Sequence, residues 1–346
     1  MFDGQKFCAV VKADAYGLGA RQISGVIDDV VDYFAVSSKE EFWEIKSFVS
    51  KPILLLDPIY KNITKLASAG CEFCISNLIQ LKKFIKTAYN HKDVIFKIHL
   101  AFNTGMNRFG FNSEFEILEC FNMIKKTQNI LIVGIFTHFY AGQIEYLVRN
   151  QSRKFKNLKL FLSKYIDITH VNFHCSNTSG FEFERGFNMC RIGLGMFFNN
   201  NKNIFMLESE IIEIQHVNRG ENIGYGAVVF SQKNMKVAVV AIGYADGVFR
   251  GIAGRGFVIV NGCLCKILAV CMDSIIVDVT DANARLNNKV TLIGKNGGKE
   301  IFVCDFASWC DTIEYEVMTR ISKRVKRVYI GGCNANYNWK VQGKKA

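Results

Sequence analysis

Phe7-Cys8-Ala9-Val10-Val11, followed at once by Lys12-Ala13-Asp14-Ala15-Tyr16-Gly17, is the stretch on which the reading of this chain turns. Five apolar residues in a row, with no polar alternation, describe a strand buried on both faces. Lys12 emerges from that strand partly desolvated, which lowers its pKa and frees the amine for Schiff-base chemistry with an aldehyde. An ion pair between Lys12 and Asp14 is the competing reading of the same residues.

Similar runs recur outward from this point: Tyr33–Val36, Ile53–Leu56, Glu72–Ile75, Val94–Leu100, Ile130–Phe136, Val171–His174 and Met189–Ile192. With Phe7–Val11 they make eight candidate strands. Helical spacing fills the gaps. In Gln143–Lys164, Leu147, Gln151, Phe155, Leu158, Phe161 and Leu162 share one face, and Ser76–Thr87 and Ser113–Lys126 repeat the pattern. Eight βα units with short connections predict a closed parallel barrel over residues 1–200. From about residue 201 the strands Ile211–Val217, Val237–Ile242, Phe257–Val260, Ser274–Val279 and Lys289–Ile293 follow one another across Gly and Asn turns, with one helical stretch, Val303–Thr319. The expected class is α/β: an N-terminal (β/α)8 TIM-type barrel followed by a mainly antiparallel β domain, residues 201–346. Pro52 and Pro58 are the only prolines, so no proline-rich linker separates the halves.

Hydrophobic residues make up 49% and charged residues 21%, enough to bury a core and exclude a disordered chain. The formal charge is +12, but the cations are dispersed; even Lys323-Arg324-Val325-Lys326-Arg327 is short. This favours anionic small ligands over nucleic acid. No apolar run reaches the roughly 20 residues that cross a bilayer, and the start lacks a secretory pattern, so a cytoplasmic protein without membrane contact is expected. The twelve cysteines are scattered through apolar runs, and Cys71-Glu-Phe-Cys74 lacks a second pair, so they read as reduced thiols. His91, His99, His170 and His216 have no partner at metal spacing and read as structural; no metal is expected.

A (β/α)8 barrel carries its chemistry at the carboxyl ends of its strands. Reading at and just beyond the ends of the candidate strands finds Lys12 to Gly17, then Asn103-Thr-Gly-Met-Asn-Arg108, Thr137-His138, His174-Cys-Ser-Asn177-Thr178-Ser-Gly180 and, carried by the eighth strand, Arg191-Ile-Gly193-Leu194-Gly195. Reactive and anion-binding residues therefore gather at one end. The backbone N–H groups after strands seven and eight suit a phosphate.

These residues resemble the alanine racemase family, pyridoxal-phosphate enzymes of fold type III. The resemblance rests on Ala9-Val-Val-Lys12-Ala-Asp-Ala-Tyr16-Gly17-Leu-Gly19, Asn103 to Gly110, Thr137-His138-Phe139, His174-x-x-Asn177-Thr178 and Arg191-x-Gly193. It continues through Gly224-Tyr225-Gly226-Ala227, Ile242-Gly-Tyr244-Ala-Asp246-Gly247, Cys271-Met272-Asp273 and Thr312-Ile-Glu-Tyr315-Glu316, in order over residues 8 to about 330. The resemblance implies a head-to-tail homodimer that interconverts L-alanine and D-alanine, an isomerase supplying D-alanine for peptidoglycan. By the same resemblance Lys12 would carry pyridoxal 5'-phosphate and serve as base for the D-isomer. Tyr225 of the partner subunit would serve for the L-isomer, oriented by His138. Arg108 and the N–H of the partner's Met272 would hold the substrate carboxylate, and Tyr244 would line the entry. Arg191 would face the pyridine nitrogen and leave it unprotonated. Tyr16, Asn177, Thr178, Gly193, Leu194 and Tyr315 would complete the cofactor site.

The resemblance has departures. Ala101 stands where the family usually has a lysine, often carbamylated, and Asn103 where it has an aspartate. Arg108 is therefore expected to be oriented another way, for instance by a bound anion. Ile192 replaces a proline, and Thr178 a serine whose hydroxyl it keeps. Only eleven residues precede Lys12, where the family has a strand and helix, so a shortened start is expected. The alternatives are a broader amino-acid racemase and a related barrel enzyme such as a basic-amino-acid decarboxylase. A decarboxylase would keep an acidic residue where Arg191 stands, and a single-barrel cofactor carrier would lack the second domain.

Overall fold

A computed structural model describes residues 4–199, 202–330 and 341–342. Its contacts divide the chain into two compact units, Met1–Ala15 with Ala20–Met196, and Tyr16–Gly19 with Phe197–Ala346.

The first unit is a closed parallel barrel of eight strands: β1 (Lys6–Val10), β2 (Tyr33–Val36), β3 (Ile53–Leu55), β4 (Cys71–Ile75), β5 (Phe96–Ala101), β6 (Ile130–Phe136), β7 (Asn172–His174) and β8 (Met189–Ile192). Closure falls on β1, where Cys8 lies opposite Tyr33 on one side and Arg191 on the other. β2, β3 and β4 are buried at every position, as strands enclosed on both faces must be. The eight strands match expectation in order and number, with small shifts at their ends. β5 starts at Phe96 rather than Val94 because the Asn129 amide donates to the carbonyls of Ala88, His91 and Val94, holding that segment as a turn.

Helices between the strands begin where the sequence supplies caps. Ser38 opens Lys39–Ile45 and Ser113 opens Glu114–Ile124, each in a reciprocal capping box with Glu41 or Glu116. Such a cap contributes about 1 kcal/mol. The helix Glu145–Leu162 turns Val148, Gln151, Ser152, Phe155, Leu158 and Leu162 inward. The buried stripe is thus rotated slightly from the expected one, with Leu147 and Phe161 half-buried at its margin. Gln151 belongs on that stripe because its amide reaches the Thr104 hydroxyl at 2.8 Å and the His138 carbonyl at 3.1 Å.

The second unit is antiparallel, apart from the short parallel pairing of Val341–Gln342 with Leu207–Val217. Lys289–Asn296, Phe257–Val260, Cys263–Val270, Ile275–Asp278, Met235–Val240 and Leu207–Val217 pair in that order, and the last returns to the first. Burial alternates along Cys263–Val270, unlike the continuous burial of β2 to β4. The expected helix Val303–Thr319 is two helices, Val303–Trp309 and Glu314–Arg320. The first ends where Cys310 and Asp311 donate back to Ala307 and Ser308, with Asp311 left-handed at φ 54°.

Candidate active site

The backbone beyond β1 turns the wrong way for L-amino acids. Ala13, Asp14, Ala15 and Tyr16 have φ of 52°, 56°, 50° and 57°, and Gly17 follows at 82°. This is a full left-handed helical turn of non-glycine residues, a conformation costing roughly 1–2 kcal/mol per residue. The surroundings hold it in place. The Ala15 N–H donates to the Val11 carbonyl at 2.9 Å, the Ala13 N–H to Glu41 Oε1 at 2.8 Å, and the Ala20 N–H to Asp14 Oδ1 at 2.7 Å. Glu41 Oε2 also accepts from Ser37 at 2.7 Å, so one carboxylate ties this turn to the start of the next helix. Asp14 is engaged with backbone, and Lys12 has no ion pair with it. The Lys12 amine has a lowered pKa, first through burial, then through Arg108, with Asp57 and Glu41 opposing.

Arg191 lies buried at the end of β8, satisfied almost entirely by neutral acceptors. Its Nη1 donates to His174 Nδ1 at 2.7 Å and to the His174 carbonyl at 3.0 Å; its Nη2 donates to the Thr137 carbonyl at 2.7 Å and meets His138 Nδ1 at 3.3 Å. The guanidinium sits 5.4 Å from the Phe136 ring centre, and His174 stacks on the same ring. His138 is pushed down to about 3 by burial and then by the charges of Arg191, Arg108 and Lys12, so it is neutral at physiological pH.

Beyond β7 and β8 the chain folds a tight cradle around the Thr178 hydroxyl. The N–H groups of Gly193 and Gly195 converge on Thr178 Oγ1 at 3.3 and 3.2 Å. A Cβ at Gly195 would lie 2.6 Å from Thr178 Cγ2, so only glycine allows this approach. Leu194 opens the short turn that presents those groups. The Asn177 side chain is spent on the loop, accepting from the Gly180 N–H at 2.9 Å.

Arg108 finds its partner in an aromatic ring, 4.7 Å from the centre of Phe109. Phe109 in turn packs on Cys74, Ala101 and Phe136. The small Ala101, where a charged support was missing, thus takes part in seating the ring under the guanidinium. Asn103 organises the loop, accepting from the N–H groups of Gly105 and Asn107 at 3.0 and 3.1 Å.

The second unit carries the other expected residues. Tyr16 and Tyr315 meet edge to face at 5.8 Å. Tyr225 is 82% exposed on a turn between Gly224 (φ 79°) and Gly226 (φ 81°). Tyr225 and Tyr244 line one cavity of about 420 Å³ with Val228, Arg250 and Leu268. The Met272 loop is tied to the Tyr244 turn: the Tyr244 N–H donates to the Cys271 carbonyl at 3.0 Å and that of Ala245 to Met272 at 2.9 Å. Arg324 clips both, reaching Asp273 at 2.6 Å and Asp246 at 3.4 Å.

Comparison with known proteins bears on what these residues do. The family models for the alanine racemase N-terminal and C-terminal domains match residues 1–201 and 204–329. The chain belongs to the alanine racemase family. Among its relatives, the alanine racemase of Helicobacter pylori strain G27 is 32% identical, covering 93% of this chain and 91% of its own length. That of Lactococcus lactis subsp. cremoris strain SK11 is 33% identical, covering 92% and 89%. The Bacillus anthracis alanine racemase structure with bound L-Ala-P superposes with a TM-score of 0.85 at 26% identity, covering 96% of this chain and 90% of the other.

An alanine racemase carries pyridoxal phosphate, and the barrel end fits that group. It offers an amine of lowered pKa for the aldehyde, converging N–H groups for the phosphate and a buried guanidinium for a ring nitrogen. Among the described residues no cluster of His, Cys, Asp or Glu could hold a metal ion. Sequence reasoning missed the left-handed turn, the anchoring role of Glu41 and the Phe109 seat. A glutamate three residues after the N-cap Ser38 was legible as a capping box; its second contact, across to Ala13, has no local signal.

Proposed function

We propose that this racemase interconverts L-alanine and D-alanine through Lys12 on one substrate face and Tyr225 of the partner subunit on the other. The observation that carries the reading is the Lys12 amine, its pKa lowered by burial and by Arg108, standing at the barrel end that also holds Arg191 and the Thr178 cradle. Bound pyridoxal phosphate would supply the electron sink that makes the alanine Cα–H acidic.

The chain's own residues do the rest. Lys12 takes or returns a proton at Cα, and a desolvated amine suits that task near neutral pH. The Arg191 guanidinium donates hydrogen bonds and cannot accept a proton, so a ring nitrogen opposite it stays unprotonated. That tempers the sink and disfavours side reactions. Arg108, fixed on Phe109, receives the carboxylate with the N–H of the partner's Met272. His138, neutral and backed by Arg191, orients the Tyr225 phenol. Tyr16, Asn177, Thr178, Gly193, Leu194 and Tyr315 complete the cofactor site, and Tyr244 lines the entry.

A head-to-tail homodimer is part of the proposal. The exposed Tyr225, Val228, Phe230 and Met272 support it as a surface suited to a second copy. A cytoplasmic enzyme making D-alanine for peptidoglycan follows from the same reading. No helix among the described residues is long and apolar enough to cross a membrane. The test is an absorbance spectrum of purified protein with pyridoxal phosphate, joined to a chiral assay on alanine. The wild type should show a visible cofactor band and racemise alanine, and Lys12→Ala should lose both. A visible band that survives in pure Lys12→Ala would refute the assignment.

A further inference from the structure

Arg191 ends a longer chain of buried side chains running down through the barrel. Nη1 of Arg191 faces His174 Nδ1 at 2.7 Å, His174 Nε2 faces His99 Nδ1 at 2.9 Å, and His99 Nε2 faces Glu72 Oε2 at 2.9 Å. Glu72, His99 and His174 are 1%, 0% and 0% exposed. They come from β4, β5 and β7, and Arg191 from β8, so strand register brings together residues far apart in sequence.

The donors and acceptors in this chain can be assigned without ambiguity. A guanidinium has only N–H donors. His174 must therefore accept at Nδ1 and carry its proton on Nε2. His99 must accept that proton's hydrogen bond at Nδ1 and carry its own on Nε2. The last N–H meets a carboxylate, which only accepts. The opposite order would set two donors face to face at Arg191 and leave the carboxylate against a bare nitrogen. Two further features show that the barrel is built around this chain. A Cβ at Gly134 of β6 would lie 2.0 Å from His99 Nδ1, so a glycine keeps the ring's place. Lys97, half exposed, holds the other Glu72 oxygen at 3.7 Å.

We propose that Glu72 is a positioning residue for Arg191, its carboxylate fixing through His99 and His174 which imidazole nitrogen meets the guanidinium. An imidazole has two neutral tautomers of similar energy, and hydrogen bonding at one nitrogen selects the proton's place on the other. Arg191 sets the order from one end and Glu72 from the other. Without an acceptor at Glu72 the His99 Nε2–H is left buried and unpaired, and that cost brings the reversed order, with its donor turned toward Arg191, into competition. Burial and the Arg191 charge keep His174 neutral, which this arrangement requires. The consequence for catalysis rests on Arg191 facing the cofactor ring; the tautomer assignment does not.

The test is nitrogen NMR of the full chain with 15N-labelled histidine, with and without pyridoxal phosphate, beside steady-state kinetics. In wild type, His99 and His174 should each show one tautomer with the proton on Nε2. Glu72→Gln should preserve it, because the amide oxygen still accepts. Glu72→Val should mix the tautomers of both rings, shift the cofactor absorbance and lower kcat about tenfold, as loss of an outer hydrogen-bond partner typically does, with KM for alanine changed by less than about twofold. A proton on His174 Nδ1 in wild type overturns the proposal. So does Glu72→Val keeping single tautomers in both rings. The wild-type spectrum needs no variant, so a Val chain that fails to fold leaves the proposal refutable. A chain that binds no pyridoxal phosphate would refute the racemase reading and leave the tautomer result standing on its own.

Discussion

Arg191 Nη2 lies 3.3 Å from His138 Nδ1, a permanent cation against an imidazole whose pKa is pushed down to about 3. The pair works only while the imidazole is neutral, since a second positive charge there would face the guanidinium without screening by water. This sets how the folded chain responds to acid. The folded pKa lies below the unfolded value of about 6.5, so below that pH the unfolded chain binds a proton that the folded chain does not. The contribution of His138 to stability should therefore be constant above about pH 6.5 and fall towards pH 3, by up to about 1.4 kcal/mol per pH unit. Urea midpoints at neutral pH and near pH 5 check this. His138→Gln should flatten the slope; equal slopes in both proteins would contradict the assignment.

Glu41 holds three backbone N–H groups, those of Ala13, Ser37 and Ser38, at 2.8, 2.7 and 3.3 Å. Removing the acceptor leaves donors unpaired at the base of a strained turn. Glu41→Ala should cost about 0.5–2 kcal/mol in stability, as loss of a helix cap does. It should also weaken retention of pyridoxal phosphate, because the turn that aims Lys12 loses its anchor. Thermal unfolding and the absorbance ratio after dialysis measure the two effects. A destabilised variant with unchanged cofactor retention would show that Glu41 serves only the helix cap.

Phe109 carries Arg108 on its face at 4.7 Å. A cation over a ring is worth roughly 0.5–2 kcal/mol. Phe109→Ala should raise KM for alanine by about tenfold and change kcat much less, since the carboxylate site loses its aim while the bases stay in place. Phe109→Tyr should behave as wild type. An unchanged KM in Phe109→Ala would mean that Arg108 is held by something else, such as the bound anion that Ala101 and Asn103 suggested.

Much of this was legible in the chain itself. The barrel could be read because enclosed strands lack polar alternation, and the second unit because Cys263–Val270 and its neighbours regain it. Lys12, Arg108, His138 and Thr178 were legible as residues just beyond strand ends, and Arg191 as one carried by the eighth strand. The left-handed turn was not, because Ala13, Ala15 and Tyr16 disfavour positive φ and Asp14 alone tolerates it; backbone N–H groups donating to Glu41 and Asp14 hold it in place. His99 read as structural because no metal spacing surrounds it. Its link to Glu72 and His174 depends on the register of β4, β5 and β7, which no local pattern reveals.

The central claim is that two different groups, Lys12 and Tyr225, each serve one face of alanine. Proton exchange at Cα in deuterium oxide tests it most directly, starting separately from L-alanine and D-alanine with Tyr225→Phe loaded with pyridoxal phosphate. The account predicts an intact visible band, continued uptake of deuterium from D-alanine through Lys12, and loss of uptake from L-alanine. Equal uptake from both isomers in that variant, or racemisation at the wild-type rate, would contradict it.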